Sequence, residues 1–385
     1  MPIFSLICLL FFALYWVLIG YYRRTWTAMP LYTAEEGPVL QTRISVLVPA
    51  RNEEKNIIHC LDSLSGQTYP PSLYEVIVID DHSTDATWDL LNSAYYPDLS
   101  FMCLKLADEG DLAGKAHKKQ AIETGIRASG GDLIVTTDAD CQFDPDWLRT
   151  IASFYETTGA KFIAAPVRIG TEKHPVRSFL QIFQTLDFIT LQGITAAAVY
   201  RRIHSMCNGA NLAYERKTFY EVEGFKGIDS IPSGDDMLLM HKIYLKYPDK
   251  VFYLKNRRAI VSTEPLQTFN GFVNQRIRWA SKADKYDDKR IFGVLLLVYL
   301  INLLFLGLLL ASGWNIGYLW LFLVLLLVKT LVEYPFVRSV AQFFGQQRLM
   351  VYFPLLQPFH ILYTIVIGWL GKFGSYRWKE RKINR

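Results

Sequence analysis

Apolar stretches long enough to cross a bilayer flank a central segment of mixed strand and helix pattern, and no other feature constrains the chain as tightly. Ile3 to Tyr21 is apolar apart from Ser5, and roughly 20 residues at about 1.5 Å rise each match the hydrocarbon thickness. Ile291 to Ser312, Trp314 to Val328 and Met350 to Leu370 are three further apolar segments. With 51% hydrophobic residues, the composition fits membrane spans joined to one globular region.

The first stretch reads as a retained anchor, because no basic region precedes it and no A-x-A cleavage site follows. Arg23 and Arg24 come directly after it and place the next segment on the cytosolic side. At the other end, three full crossings would leave the C-terminus outside, yet Lys372 to Arg385 holds six Lys/Arg against Glu380 alone. One C-terminal segment is therefore expected not to cross fully. Pro354, Gln357, Pro358 and His360 make the last segment the one expected to be broken or partly interfacial. The tail's excess equals the chain's formal net charge of +5, which leaves no basic patch elsewhere for nucleic acid. Five cysteines without paired or metal-ligand spacing fit a reducing compartment.

Between the membrane parts, residues 42–270 have the length of one α/β domain with its own core. Ile44 to Val48 reads as a buried strand, a helix follows through Leu64, and Tyr74 to Ile79 is a second strand ending at Asp80-Asp81. After a helix from Lys115 to Ala128, a third run from Asp132 to Thr137 ends at Asp138-Ala139-Asp140. The pattern predicts an α/β fold, an open twisted mostly parallel sheet with flanking helices, plus transmembrane helices at both ends. In such sheets ligands bind beyond the carboxyl ends of the strands, where both acidic clusters fall. The first strand-to-helix turn, Val48-Pro49-Ala50-Arg51-Asn52-Glu53-Glu54, lacks the glycines of a dinucleotide site and of a P-loop.

Two carboxylates spaced one residue apart repel a bare diphosphate but attract Mg²⁺ or Mn²⁺, hard cations that bridge protein oxygens to phosphate. Asp138 and Asp140 are the candidate metal pair. Alone, the tripeptide also describes a turn, as Asp144-Pro145-Asp146 does just downstream; the second acidic strand end raises the metal reading above that. Lys115, expected at a helix N-terminus, is a candidate phosphate partner, and a solvated basic first turn is the alternative. Ser233-Gly234-Asp235-Asp236 precedes an apolar-periodic helix. Capping accounts for one of its aspartates and leaves the other to act as a general base. Gln275, Arg278 and Trp279 stand at i, i+3 and i+4 on one helical face, suited to pyrophosphate and a sugar ring, and equally to an interfacial anchor.

Pro49-Ala50-Arg51-Asn52-Glu53, Asp80-Asp81, Asp138-Ala139-Asp140, Gly234-Asp235-Asp236 and Gln275-Arg276-Ile277-Arg278-Trp279, in this order, resemble the motifs of the family 2 membrane glycosyltransferases. That group includes cellulose synthase, hyaluronan synthase and ceramide glucosyltransferase, and the resemblance spans roughly residues 42 to 282. It implies a GT-A-like fold and an inverting transfer from a UDP-sugar donor. Pro49, Ala50, Glu53, Asp80, Asp81, Lys115 and Asp138 would bind the nucleotide, with Asp81 at the uracil. Asp138 and Asp140 would hold the metal, and Asp236, beside Asp235, would be the catalytic base. Gln275, Arg278 and Trp279 would lie by the acceptor and the leaving diphosphate. Asn208-Gly209-Ala210-Asn211 resembles a segment following an acceptor-side strand, and polar turn chemistry explains it nearly as well. Family members often carry Glu then Asp where this chain has Asp235-Asp236.

The resulting expectation is an integral, multi-pass membrane enzyme with a cytosolic catalytic domain, in a bacterial inner membrane, acting on a membrane lipid or a growing polysaccharide. Its organisation is an anchor at 1–24, a linker at 25–41, the transferase domain at 42–270, an interfacial amphipathic helix at 271–290 and a membrane region at 291–385. A single-sugar glycolipid synthase is the alternative to a processive synthase. A non-catalytic membrane-tethered binding protein would keep the fold without turnover, but every acidic position a working site needs is retained.

Overall fold

The computed structural model describes residues 2–34, 39–106, 117–171, 174–229, 231, 234–282, 288–378 and 381–383. The chain divides into two compact units. A sheet unit comprises Pro30–Pro175 and Ser205–Glu264, and a helical unit comprises Met1–Met29, Val176–His204 and Pro265–Arg385.

The sheet unit holds strands β1 (Ile44–Ala50), β2 (Tyr74–Asp80), β3 (Ser100–Lys105), β4 (Leu133–Thr136), β5 (Cys141–Gln142), β6 (Phe162–Ala164), β7 (Val167–Ile169), β8 (Leu212–Glu215), β9 (Val251–Tyr253) and β10 (Val261–Thr263). Seven form one sheet in the order β3-β2-β1-β4-β8-β6-β9, and β5-β10-β7 form a small second sheet. β3, β2, β1 and β4 run parallel, β8 is antiparallel to both its neighbours, and β6 pairs parallel with β9. The mostly parallel character read from the sequence is therefore present, with β8 as the reversed strand. β1 and β4 are almost wholly buried, which is why they read as continuous apolar runs instead of alternating ones. The register Ala50↔Asp80 aligns the carboxyl ends of β1 and β2, and β4 ends earlier, with Thr136 opposite Leu47.

Within the helical unit, five helices are long and apolar enough to cross a membrane. Four of them answer to the apolar segments of the sequence: Pro2–Ala28, Lys289–Ala311, Gly317–Phe343 and Phe353–Phe373. In the first, Cys8, Phe12, Tyr15, Ile19, Tyr22 and Trp26 form a buried stripe at alternating spacings of four and three. Its other faces expose Leu6, Leu10, Trp16 and Val17, so the helix is apolar all round, as suits a lipid-facing element. The segment Trp314 to Val328 extends through Lys329, Glu333 and Pro335 to Phe343. Phe353–Phe373 runs unbroken through Pro358 and has Pro354 in its first turn, where the missing N–H costs nothing. Of the segment expected to be broken or partly interfacial, Met350 to Tyr352 belong to a 3₁₀ turn, Gln347–Tyr352, and the rest is one continuous helix.

The fifth helix, Phe179–Tyr200, was not singled out by the sequence as a span. Gln181, Gln184, Asp187 and Gln192 interrupt its apolar run, and it is mostly buried among the others. Its start carries a capping box, in which Gln181 N–H donates to the Ser178 hydroxyl and Gln181 Oε1 accepts from Ser178 N–H. Gly193 lets a neighbouring helix approach: a Cβ there would lie 2.6 Å from Val340 Cγ2 and 2.8 Å from Phe336 Cζ.

Candidate active site

Two clusters of polar side chains form beyond the carboxyl ends of the parallel strands. The first is built where β1 and β2 end. Asp80 and Asp81 are both buried. Asp81 N–H donates to the Ala50 carbonyl at 2.8 Å, which fixes the Asp81 backbone to the end of the strand bearing Pro49. Arg51 Nη1 donates to the carbonyls of Asp81 and His82, at 2.6 and 3.0 Å. His117 Nδ1 stands 3.3 Å from Asp81 Oδ1. Asp80 Oδ2 accepts from Ser83 N–H at 3.3 Å, and Asp80 Oδ1 is buried without a hydrogen-bond partner among the described residues. An orphaned buried carboxylate oxygen of this kind is costly unless a ligand satisfies it. Asn52 and His82 both adopt left-handed backbone, φ 52° and 54°, which is uncommon for residues with a Cβ. Glu53 precedes the helix Ile57–Ser65: its carboxylate accepts from Asn56 Nδ2 at 3.0 Å, and its N–H donates to Thr87 Oγ1 at 2.7 Å.

The second cluster gathers residues from four separate segments. Asp138 follows β4, and Lys118 Nζ donates to its Oδ1 at 2.6 Å. The same ammonium lies 3.6 Å from Asp235 Oδ2. Asp235 and Asp236 occupy the first turn of the helix Asp235–Lys246, where the helix dipole favours negative charge. Asp236 is held by two backbone donors, Gly209 N–H to Oδ2 at 3.2 Å and Met237 N–H to Oδ1 at 2.8 Å. Asp140 Oδ2 accepts from Thr263 Oγ1 of β10 at 3.0 Å. Gly209 sits among these groups, and a Cβ there would be 3.2 Å from Lys118 Nζ, 3.4 Å from Asp235 Oδ2 and 3.6 Å from Asp236 Oδ2.

The loop carrying Asp138 and the turn carrying Gly209 are tied together, because Thr137 Oγ1 donates to the Ala210 carbonyl at 2.9 Å. Asn211 is fully buried. It accepts from Trp147 Nε1 and donates to the Pro166 and Ala259 carbonyls. Its work is structural, and the same turn still delivers the Gly209 N–H to Asp236.

Electrostatics in this cluster favour a charged lysine. Burial opposes the ammonium of Lys118, but the carboxylates of Asp138 and then Asp235 outweigh it and hold the pKa above the ordinary lysine value. Asp138 keeps 41% of its side chain exposed. Asp138 and Asp140 offer only hard carboxylate oxygens, a donor set that fits Mg²⁺ or Mn²⁺. The cluster Asp81, His82 and His117, whose ligand atoms lie within 4.8 Å of one another, is richer in nitrogen.

Lys115 and Ser233, singled out in the sequence, lie outside the described residues. Among the described residues, Lys118 is the basic side chain seen among the carboxylates. Its signal in the sequence was its place in Gly114-Lys115-Ala116-His117-Lys118-Lys119, just inside the helix His117–Ala128. Arg51, which lies within the Pro49-to-Glu53 motif, and His117 both brace Asp81, and neither was a candidate in the sequence.

Gln275, Arg278 and Trp279 belong to the helical unit, on the helix Phe269–Ala280, and all three are partly exposed. Arg276 is the buried member of that motif, 2% exposed. Its Nη2 pairs with Asp187 Oδ2 at 3.0 Å, and its guanidinium lies 4.4 Å from the centre of the Trp279 ring. One face of Trp279 is thus covered by a cation.

Residues 45–222 match the family model described as "Glycosyl transferase family 2". The chain is similar to "Probable glycosyltransferase YdaM" of Bacillus subtilis, 27% identical over 248 residues that cover 62% of this chain and 54% of that protein. It is also similar to "Beta-monoglucosyldiacylglycerol synthase" of Synechocystis sp., 28% identical over 130 residues covering 33% and 26% of the two chains. The chain spans about half, or less, of the length of the curated relatives it matches. Its fold is similar to that of "Mannosyltransferase PcManGT from Pyrobaculum calidifontis in complex with GDP-Man and Mn2+", with a TM-score of 0.60, 18% identity, and coverage of 93% of this chain and 99% of that one. The GT-A-like architecture expected from the motifs is the one observed.

Proposed function

We propose that this chain, whose residues 45–222 match the glycosyl transferase family 2 model, is a membrane-bound enzyme moving a sugar from a nucleoside-diphosphate sugar, UDP by the motif pattern, to a membrane-associated acceptor. The observation that carries this reading is the meeting of Lys118, Asp138, Asp235 and Asp236 around the backbone N–H of Gly209. A basic group, a hard-oxygen metal position and a carboxylate aimed by two amides are the parts that diphosphate departure and hydroxyl activation require.

In this mechanism Asp80 and Asp81 bind the base end of the nucleotide, and Asp80 Oδ1 gains the donor it lacks. Asp138 and Asp140 would hold Mg²⁺ or Mn²⁺, which when bound supplies positive charge for the diphosphate. Lys118 adds a fixed positive charge close to Asp138. Asp236 takes the proton of the acceptor hydroxyl as its oxygen bonds to the anomeric carbon. The bond from that carbon to the diphosphate oxygen breaks, the nucleoside diphosphate leaves with the electron pair, and the configuration inverts. The Gly209 and Met237 amides keep the Asp236 carboxylate in one orientation through this step. Gln275, Arg278 and Trp279 serve the acceptor and the departing diphosphate.

The acceptor comes from the bilayer, in which the apolar helices are embedded as a multi-pass membrane anchor with the sheet unit on the cytosolic side. A lipid or a growing polysaccharide both fit that origin. Similarity to a glucosyldiacylglycerol synthase supports the lipid.

The test uses the full chain in nanodiscs with radiolabelled UDP-sugars and Mn²⁺ or Mg²⁺. Asp236→Asn is expected to lose about 10²- to 10⁴-fold in transfer rate while still binding UDP. Wild-type transfer rates in that variant would overturn the assignment of the base. Absence of both nucleotide binding and transfer in the wild type would overturn the function itself.

A further inference from the structure

The helical unit encloses a cavity of about 110 Å³ that the sheet unit's chemistry leaves unused. All five apolar helices contribute to its wall, which is mainly hydrocarbon and includes Leu186, Ile194, Val298 and Phe336. The wall also carries polar side chains, among them Tyr15, Asp187, Glu333, Gln357 and His360. Ionisable groups inside a membrane bundle are expensive and mark functional sites by default.

They are organised as two neutralised pairs. Glu333 accepts from Tyr15 Oη and from Gln357 Nε2, the latter at 2.6 Å, and pairs with Lys329 at 2.7 Å. Lys329 also donates to Gln357 Oε1 at 2.6 Å. Asp187 pairs with Arg276 at 3.0 Å and faces His360 Nε2 at 3.6 Å. The partner cations, Lys329 and Arg276, are buried and are not among the residues lining the cavity. What a guest meets therefore includes two carboxylates, an amide, an imidazole and the hydroxyls of Tyr15, Tyr22 and Thr190. His360 Nδ1 is buried without a hydrogen-bond partner among the described residues.

We propose that this cavity binds the hydroxyl headgroup of a neutral lipid, and that the acceptor of the reading above is such a lipid. The inference rests on that reading only for the word acceptor. A hydroxyl donates to Asp187 or Glu333 and pairs with His360 Nδ1, satisfying the orphaned atom. Because Arg276 and Lys329 are already spent on these carboxylates, a phosphate headgroup would bury one or two negative charges in a low-dielectric site with no unpaired cation to offset them. The volume corresponds to on the order of ten water-sized spheres, enough for a polar headgroup and the first methylenes. The acyl chains would continue past Leu18, Ile194 and Val298, wall residues that are partly exposed.

The experiment places the full chain in phosphatidylcholine nanodiscs with a diazirine-bearing diacylglycerol and maps the photolabelled peptides by mass spectrometry, with no sugar donor present. Label is expected on Phe179–Tyr200 and Phe353–Phe373. Excess diacylglycerol should remove it and a polyprenyl phosphate should not. Val298→Trp and Ile194→Trp, two fillings of the cavity from different helices, should each lose most of the label while UDP binding persists. Label confined to outward-facing positions, label unchanged in both fillings, or displacement by the polyprenyl phosphate would each overturn the proposal. Intact labelling with no transfer from any nucleotide sugar would instead sink the enzymatic reading and leave the lipid site standing.

Discussion

Lys118 donates to Asp138 over 2.6 Å, so the start of a helix is tied to the end of β4 in the middle of the acidic cluster. This pair answers how several carboxylates can crowd one rim: a partly buried cation offsets their repulsion before any ligand arrives.

Lys118→Met removes that cation without removing bulk. A hydrogen bond to a charged group contributes about 1.5–3 kcal/mol, so kcat/KM for the donor is expected to fall about ten- to a hundredfold. Steady-state kinetics against the nucleotide sugar measure this, and an unchanged kcat/KM would exclude Lys118 from donor binding.

Gly209→Ala tests crowding at the same place. The added methyl meets the flexible ends of Lys118, Asp235 and Asp236 at 3.2 to 3.6 Å, so the chain should fold with little loss while those groups are displaced. Transfer is expected to drop and the thermal midpoint to change little. A large loss of stability with normal activity would contradict this.

Asp138→Asn and Asp140→Asn together should abolish the dependence of UDP binding on Mn²⁺ or Mg²⁺, read by calorimetric titration with and without chelator. Binding that stays cation-dependent in the double variant would remove these two residues from the metal.

Arg276 and Arg278 should behave oppositely. Arg276→Gln leaves Asp187 as an uncompensated buried charge, a loss of about 3–5 kcal/mol, whereas Arg278→Gln removes a partly exposed group and should spare stability while lowering transfer. Thermal unfolding in detergent separates the two. Equal destabilisation would mean that Arg278 also serves the fold.

A pH dependence follows from Glu215. Burial works against its charge, yet hydrogen bonds from Lys161, Tyr155 and Thr218 overcome that and hold its pKa below the ordinary carboxylate value. The stabilisation is therefore fully present above the unfolded-state pKa of about 4.3 and is lost as pH falls through the lower folded value. Glu215→Gln should reduce the loss of stability across that acidic range, followed by circular dichroism.

The sequence made the parallel half of the sheet legible because β1, β2 and β4 are buried on both faces and each ends in a polar cluster. Asp138, Asp235 and Asp236 were readable as candidates from their spacing at strand and helix ends. Lys118, Arg51 and His117 were less legible, since their roles arise from contacts between segments up to about a hundred residues apart and not from local pattern. The face of Gln275, Arg278 and Trp279 was readable from helical periodicity, but the partner of the buried Arg276 is on another helix. Phe179–Tyr200 escaped notice because a helix packed inside others tolerates the glutamines and the aspartate that a lipid-facing span would exclude.

That last helix has a consequence for biosynthesis. β4 and β6 precede it in the chain and β8, which joins them, follows it. As residues emerge in order, β8 can join β4 and β6 only after an apolar segment of 22 residues has been synthesised between them, so completing the sheet waits on a piece of the helical unit. Cutting away both termini would accordingly fail to yield a freely soluble transferase fragment, because the greasy insertion remains in its middle.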